Sequence, residues 1–180
     1  MRKIFVSIFE IIETVTIAVV AVFLVRSFVA QPFLVSGSSM EPNFYDGDYL
    51  LVDELTYRLR EPARGEVIVF LYPGNHRSFY IKRIIGLPGE RIVVERDKVT
   101  VFSENDGKID LKESYALTKH NSGYFETRLD SNQYFVMGDN RDFSFDSRSW
   151  GALTRKDIIG LTRFRLWPIN QVMAFTAPAY

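Results

Sequence analysis

The sequence contains no cysteine and only two histidines, His76 and His120, among its 180 residues. The lack of cysteine excludes a disulfide, a zinc site built on thiolates and a cysteine nucleophile. Both histidines lie in polar, turn-rich stretches, so a catalytic triad based on histidine has poor material. Because no disulfide can form, the cysteine content does not indicate a redox compartment.

An excess of positive charge is also lacking. The chain has 22 basic and 22 acidic residues, so its formal net charge is zero. Proteins that bind nucleic acids usually carry a basic excess or a basic stripe, so no nucleic-acid partner is expected. A length of 180 residues is enough for one domain with a hydrophobic core, or for one domain with a membrane anchor.

A long apolar stretch, residues 5–25, lies near the amino terminus. As a helix it would span about 30 Å, close to the thickness of the hydrocarbon core of a bilayer. Glu10 and Glu13 interrupt it on one helix face. Three interpretations remain open. The length favours a transmembrane anchor; a removable signal peptide would need a small-x-small cleavage site, which is lacking; and the two glutamates favour a helix lying in the membrane plane.

For a transmembrane anchor, the charges at its ends predict the topology. Arg2 and Lys3 precede the apolar stretch, and basic flanks tend to stay in the cytoplasm. Residues 1–27 would then be a cytoplasmic tip and an anchor, and residues 28–180 an extracytoplasmic catalytic domain. We therefore expect a single-pass protein of the plasma membrane, with the lipid bilayer as a partner.

The pattern changes from helical to extended after the apolar stretch. Short runs of apolar, β-branched and aromatic residues alternate with turn signals that contain Gly, Pro, Asn or Asp. The pattern predicts a mainly β fold, a sandwich or a partly open barrel, preceded by one transmembrane helix. The predicted strands are residues 33–35, 49–52, 66–72, 79–85, 91–94, 98–102, 133–136 and 158–167.

Residues 103–131 differ from the rest of the β region, since they are polar, charged and poor in apolar runs. One interpretation is a polar insertion or small subdomain between two halves of the β core. The other is an ordinary long loop. The composition does not decide between them.

A serine-rich turn is the first of three segments that could carry chemistry. Residues 35–42 contain Ser36, Ser38 and Ser39 around Gly37. Small residues let a substrate backbone approach closely, and they leave backbone N–H groups free to face a developing oxyanion. A bare turn has the same composition, and each of the three serines is a candidate nucleophile.

The second segment is an apolar strand that carries two cations. With a period of two residues, Lys82 and Arg83 point to opposite faces of the strand at residues 80–86. An edge strand whose cations both reach water would explain the pattern. The functional alternative is a desolvated Lys82, whose pKa falls from about 10.4 toward ~7–8 so that the neutral amine acts as a general base.

The third segment, residues 137–151, is dense in side chains that form hydrogen bonds. It follows a predicted strand and contains several pairs of opposite charge. A solvated loop is one interpretation. A buried network that holds a site in place is the other.

Taken together and in this order, the three segments resemble bacterial type I signal peptidases, which use a Ser–Lys dyad. The resemblance implies that Ser39, directly before Met40, is the nucleophile and that Lys82 is its general base. It also implies that Ser144 hydrogen-bonds the lysine and orients it. The matching segments are residues 37–42, 46–48, 64–70, 80–90 and 138–151.

The resemblance further implies a set of residues that brace the site without reacting. These are Asp139, Asp146 and Arg148, with Arg83 as the ion-pair partner of Asp139.

Two positions depart from the family pattern. Asn43 stands where threonine is usual, and Gly37 stands where some members place a serine hydroxyl in the oxyanion hole. The hole would then depend on the backbone N–H of Ser39 and on a second donor, for which Ser36 and Ser38 are candidates. We expect substrate contacts from Gly37, Ser38 and Met40.

The implied function is a membrane-bound serine endopeptidase that removes amino-terminal signal peptides from exported preproteins. It would need no metal or organic cofactor and would select small residues at the cleavage site. Two alternatives remain: another Ser–Lys processing protease, such as a self-cleaving repressor or a pilus-type enzyme, and a membrane-tethered β domain that binds peptides or acts as a scaffold. The sequence does not indicate an oligomeric state.

Overall fold

The computed structural model describes residues 2–28, 30–96, 98–103, 107–117 and 122–178. His120 lies outside the described residues. The helices are α1 (Arg2–Phe28), α2 (Thr56–Leu59) and α3 (Ser147–Trp150), with 3₁₀ turns at Arg155–Asp157 and Ile169–Gln171. The strands are β1 (Ala30–Leu34), β2 (Tyr49–Asp53), β3 (Val67–Leu71), β4 (Phe79–Gly86), β5 (Arg91–Arg96), β6 (Lys98–Ser103), β7 (Gly107–Asp110), β8 (Ser122–Arg128), β9 (Gln133–Met137), β10 (Leu153–Thr154), β11 (Ile158–Trp167) and β12 (Met173–Ala174).

The strands pair antiparallel in two sheets, so the predicted mainly β fold is confirmed. The larger sheet has the order β1-β2-β11-β3-β4-β9-β10, and β12 pairs with β11. The smaller sheet has the order β7-β6-β5-β8. The described part of the polar segment 103–131 therefore contributes two strands, β7 and β8, to the smaller sheet.

Strand β4 lies inside the larger sheet, between β3 and β9. Its residues alternate between the two faces, and both faces are covered. Ile84 packs with Phe70 and Val136 in the core of the larger sheet. Ile85 belongs to a second core, which includes Ile92 of the smaller sheet. From Lys82 to Gly86, a residue on β4 is therefore screened from water whichever face it occupies.

Helix α1 begins at Arg2 and has 27 residues, and the described side chains of residues 8–23 are all exposed. The predicted helix is thus confirmed. Among the described residues, however, no helix has the combination of length and apolar character that crossing a bilayer requires. The transmembrane role of this helix stays a prediction.

One strand and two connecting segments form the site. The serine-rich turn follows β1, Lys82 lies in β4, and the polar segment that starts at Gly138 follows β9. Because β4 pairs with β9, Lys82 and Gly138 lie on neighbouring strands or at their ends, and the serine turn closes over them.

Candidate active site

Lys82 and Ser39 form a direct contact at the centre of the site. The Lys82 Nζ lies 2.7 Å from Ser39 Oγ, and it also donates to the carbonyl oxygen of Ile81 at 2.9 Å. Of the three candidate nucleophiles in the turn, Ser39 is the one whose hydroxyl lies within hydrogen-bond distance of this amine. A serine beside an amine is the arrangement that proton abstraction from the hydroxyl requires.

The Lys82 side chain is desolvated rather than directed to bulk water. Lys82 is 4% exposed and Arg83 is 6% exposed, so the edge-strand interpretation of this segment is wrong. Burial lowers the pKa of Lys82 from its usual 10.5 to about 8, although the charges of Asp146 and Asp139 oppose the shift. Near pH 8 a substantial fraction of the amine is therefore neutral and able to accept a proton.

An aromatic wall contributes to the shielding of Lys82. The ring of Tyr80 lies 5.7 Å from Lys82 Nζ and stacks on Tyr72, with 4.9 Å between ring centroids. Tyr72 in turn contacts the ring of Phe145 at 5.8 Å. Sequence reasoning did not single out these rings, because their contacts join a hairpin to a distant loop.

The serine turn is held by one polar contact and one apolar anchor. Gly37 has a φ of +93°, a conformation that favours glycine, and its N–H donates to Asp46 Oδ1 at 2.8 Å. Met40 is buried and packs with Phe44 and Leu50. Its side chain is thus part of the core that supports Ser39, whereas Gly37 and Ser38 line the cleft.

The cleft beside Ser39 has a volume of about 480 Å³. It is lined by residues 33–39, residues 79–82, Leu50 and Val69. Phe143 and Phe145 stand at its rim and are exposed. A mostly apolar groove of this form suits an extended peptide with small side chains.

Asn140 ties the polar segment to the serine turn. Its backbone N–H donates to the carbonyl of Ser39 at 3.1 Å, and its side chain donates to the carbonyl of Ser38 at 3.1 Å. The sequence analysis assigned Asn140 no role, although it lies directly after Asp139 in the segment 138–151 that resembles the family.

Arg83 and Asp139 form the expected ion pair. Arg83 donates through Nε and Nη2 to the two carboxylate oxygens at 2.8 and 2.6 Å, and both side chains are buried. Such a bidentate pair fixes direction as well as distance. Since Arg83 follows Lys82 directly, the pair links β4 to the polar segment after β9. Asn140 of this segment hydrogen-bonds Ser39.

Asp146 and Arg148 form a second buried pair. Arg148 donates to Asp146 from Nε at 2.8 Å and from Nη2 at 2.7 Å, and Asp146 also accepts the N–H of Gly138 at 3.0 Å. Burial raises the pKa of Asp146, but the hydrogen bond and charge of Arg148 more than offset this, so its pKa is lowered overall.

Ser144 lies against Gly138, where an added Cβ would come within 2.3 Å of its hydroxyl oxygen. The resemblance implied a hydrogen bond between Ser144 and Lys82. The Ser144 Oγ is buried and interacts with Asp146, where it helps to lower the pKa of that carboxyl, whereas Lys82 Nζ bonds to Ser39 and Ile81. Within those residues, no three His, Asp or Glu side chains converge to hold a metal ion.

A sequence profile of the family described as Signal peptidase, peptidase S26, matches residues 8–167. The chain belongs to this family. It is 37% identical over 175 residues to a probable signal peptidase I-2 from Synechocystis, with 94% of this chain and 78% of that protein covered. It is 33% identical over 172 residues to signal peptidase I P of Bacillus subtilis subsp. natto, with 92% of each chain covered. The crystal structure of a signal peptidase I from Enterococcus faecalis matches 57% of this chain and 97% of its own, at 28% identity and a TM-score of 0.48.

The close packing at Gly138 leads to a prediction for this family member. A Cβ at this position would lie 2.4 Å from the carbonyl oxygen of Ser39, which is backbone and cannot turn away. We expect Gly138→Ala to push the serine turn away from Lys82 and to cost about 1–3 kcal/mol of unfolding free energy, the usual range for overpacking. Thermal unfolding and a crystal structure of the variant would measure both effects.

Gly123→Ala is the matched control, since no heavy atom lies within 4 Å of the Cβ it would add. We expect this variant to unfold like the parent. A Gly138→Ala protein with unchanged stability and an unchanged contact between Ser39 and Lys82 would show that the turn is not packed as described.

Proposed function

We propose that this signal peptidase cleaves preproteins through a Ser–Lys dyad, with Ser39 as nucleophile and Lys82 as general base. Family membership makes the chain a serine-type endopeptidase that removes signal peptides from preproteins. The observation that carries the dyad is the 2.7 Å contact between a buried amine and a serine hydroxyl. A peptide-binding scaffold would have no need of a desolvated lysine, which costs free energy to bury.

In this mechanism, neutral Lys82 takes the proton of Ser39 while the hydroxyl oxygen attacks the scissile carbonyl carbon. The protonated amine then donates this proton to the departing amino group as the peptide bond breaks, which leaves an ester on Ser39. Lys82 next accepts a proton from water, and the resulting attack on the ester frees the new carboxyl end and restores the serine.

The backbone N–H of Ser39 is the proposed main donor to the oxyanion. The N–H of Gly37 already donates to Asp46, so it is not free for this task in the present conformation. The hydroxyls of Ser36 and Ser38 stay candidates for the second donor, and both residues line the cleft. In this scheme the buried Met40 side chain supports the turn from below.

The proposed substrate is an extended preprotein segment with small residues at the cleavage site. It would lie in the cleft that is lined by residues 33–39, residues 79–82, Leu50 and Val69. The aliphatic side chains of this lining offer contact to small apolar side chains, whereas a large one would clash with them. In this proposal, two ion pairs hold the catalytic residues in place. They are Arg83 with Asp139 and Arg148 with Asp146, and Ser144 packs beside them against Gly138.

We place the protein at the plasma membrane, as a single-pass protein with its amino terminus in the cytoplasm and its β region outside. The support is the exposed apolar surface of α1 at residues 8–23, preceded by Arg2 and Lys3. Attachment to the bilayer would confine enzyme and preprotein to the same surface and so raise their effective concentration.

The dyad predicts that two single substitutions abolish cleavage. Ser39→Ala removes the nucleophile, and Lys82→Met keeps the aliphatic stem but removes the base. Each should lower kcat/KM for a preprotein by at least ~10³-fold, the scale on which loss of such a residue acts. Gel assays of preprotein trimming would measure the loss, and circular dichroism would show that each variant is folded.

Ser149→Ala and Lys156→Ala are the matched controls, since both side chains are exposed away from the cleft. They should cleave like the parent. Cleavage by Lys82→Met at a near-normal rate at neutral pH would exclude Lys82 as the base.

The lowered pKa of Lys82 predicts how activity depends on pH. Because the free enzyme must hold this amine neutral, kcat/KM should rise with pH and reach half its maximum at the Lys82 pKa, about 8. A rate profile between pH 6 and 10 on a fixed peptide substrate would measure the midpoint. A rate that falls as pH rises through this range would contradict a neutral lysine base.

Membrane attachment through α1 predicts opposite effects of opposite substitutions. Val19→Asp should weaken flotation of the full chain with phosphatidylethanolamine–phosphatidylglycerol vesicles, because an aspartate near a helix centre costs about 2.5–3.5 kcal/mol to insert. Glu13→Gln, which removes a charge, should strengthen it. Equal flotation of both variants and the parent would show that α1 does not carry the attachment.

A further inference from the structure

The segment after β7 returns from the smaller sheet to the rear of the active site. We call residues 111–117 the strap. It starts in the second core, where Leu111 is buried and its N–H donates to the carbonyl of Val99 at 2.9 Å. It ends where the N–H of Leu117 donates to the carbonyl of Asp139 at 3.0 Å. The strap therefore connects the smaller sheet with the polar segment behind Ser39.

Glu113 is the first of two strap side chains that contact the site. Its carboxylate accepts from Arg141 Nη1 at 2.7 Å and from Arg141 Nη2 at 2.6 Å, and both side chains are nearly buried. Arg141 also donates from Nε to the carbonyl of Gly138 at 3.0 Å. Glu113 thereby fixes the Arg141 guanidinium, whose bond to Gly138 closes the loop at residues 138–141.

Without Glu113, Arg141 would be a buried cation that had lost its carboxylate. An unpaired buried charge is costly, so the guanidinium would move toward another anion or toward water. One such anion is Asp139, whose charge already acts on Arg141. Competition for Asp139 would loosen its bidentate pair with Arg83, and with it the attachment of the lysine strand.

Tyr115 is the second contact. Its ring lies over the guanidinium of Arg83, with 4.2 Å from Arg83 Cζ to the ring centroid. Its carbonyl oxygen accepts from Asn43 Nδ2 at 2.8 Å, and the same Asn43 nitrogen donates to Asp139 Oδ2 at 2.8 Å. Asn43 comes four residues after Ser39, and Arg83 directly follows Lys82. Tyr115 therefore contacts both the end of the serine turn and the strand that carries Lys82.

From this geometry we propose that Glu113 and Tyr115 are positioning residues that hold Ser39 in register with Lys82. The proposal rests on the dyad described above and assigns a role to the polar segment between the strands. The proposed action of the strap on Ser39 and Lys82 is indirect. It acts through Arg83, which follows Lys82 in β4, and through Asn43, which lies at the end of the serine turn. It also acts through Arg141, which donates to the carbonyl of Gly138 in the polar segment that hydrogen-bonds the turn.

The test compares Glu113→Ala and Tyr115→Ala with the parent in the full-length protein. Each should lower kcat for preprotein cleavage by ~10- to 100-fold, since a misplacement of about 1 Å can cost that much, with KM changed less than twofold. Loosening also admits water to Lys82, so its pKa should rise from about 8 toward 10.5. A titration of ¹³Cε-lysine followed by NMR measures this pKa without any substrate, and Lys82→Met assigns the signal.

Three variants separate positioning from simple destabilisation. Tyr115→Phe keeps the ring over Arg83 and removes the hydroxyl that donates to Glu113, so it should retain most of the activity that Tyr115→Ala loses. Lys112→Ala changes an exposed strap residue next to Glu113 and should leave kcat and the Lys82 titration unchanged. Glu113→Gln keeps the side-chain shape and serves in place of Glu113→Ala if that variant does not fold.

Unchanged kcat and an unchanged Lys82 titration in the Glu113 and Tyr115 variants would overturn the proposal. So would a fall in activity that only follows the folded fraction while the titration stays at the parental value. If the parent protein trims no preprotein, the proposed function fails by itself, and the NMR titration still decides whether the strap holds Lys82 in its dry position.

Discussion

The site depends on keeping one lysine amine dry beside a serine. An ammonium group is strongly favoured in water, so the fold must supply a place from which water is excluded and in which no carboxylate touches the amine. An interior strand meets the first demand, because β4 is covered on both faces and Lys82 is 4% exposed. The second demand is met by pairing each nearby carboxylate with an arginine, which leaves the amine to bond with Ser39 and a backbone carbonyl.

The paired charges around the dyad form a frame with a common design. Asp139 is matched to Arg83, Asp146 to Arg148, and Glu113 to Arg141, and every pair is largely buried. A buried pair adds little net stability, but losing one partner is costly, so each geometry is strongly determined. The frame therefore fixes the orientation of side chains more than it adds to stability. The serine turn itself has small side chains, and it is held by the hydrogen bonds from Asn140.

Much of this could be read from the sequence, and the failures have physical reasons. The strands β3, β4 and β11 follow continuous apolar runs, and the predicted ranges agree closely with the observed ones. Strands β7 and β8 were missed because their side chains are mostly exposed, so few apolar residues mark them in the sequence. The dyad was placed by family resemblance. Asn140 and Glu113 were not assigned roles, because their partners are distant in the chain and only the fold brings them together. The apolar start of the chain predicted a transmembrane helix. The structure confirms the helix, and the membrane span stays a prediction.

The contacts that define the site also determine when it can exist. Ser39 and Lys82 are 43 positions apart, Asn43 and Tyr115 are 72 apart, and Ser38 and Asn140 are 102 apart. Contacts over such separations form late, because the entropy of closing a long loop is lost before the contact can stabilise the chain. A chain still emerging from the ribosome lacks the last of these partners and so carries a serine without its frame. In the proposed mechanism, proteolytic competence therefore arrives only when these distant contacts have formed.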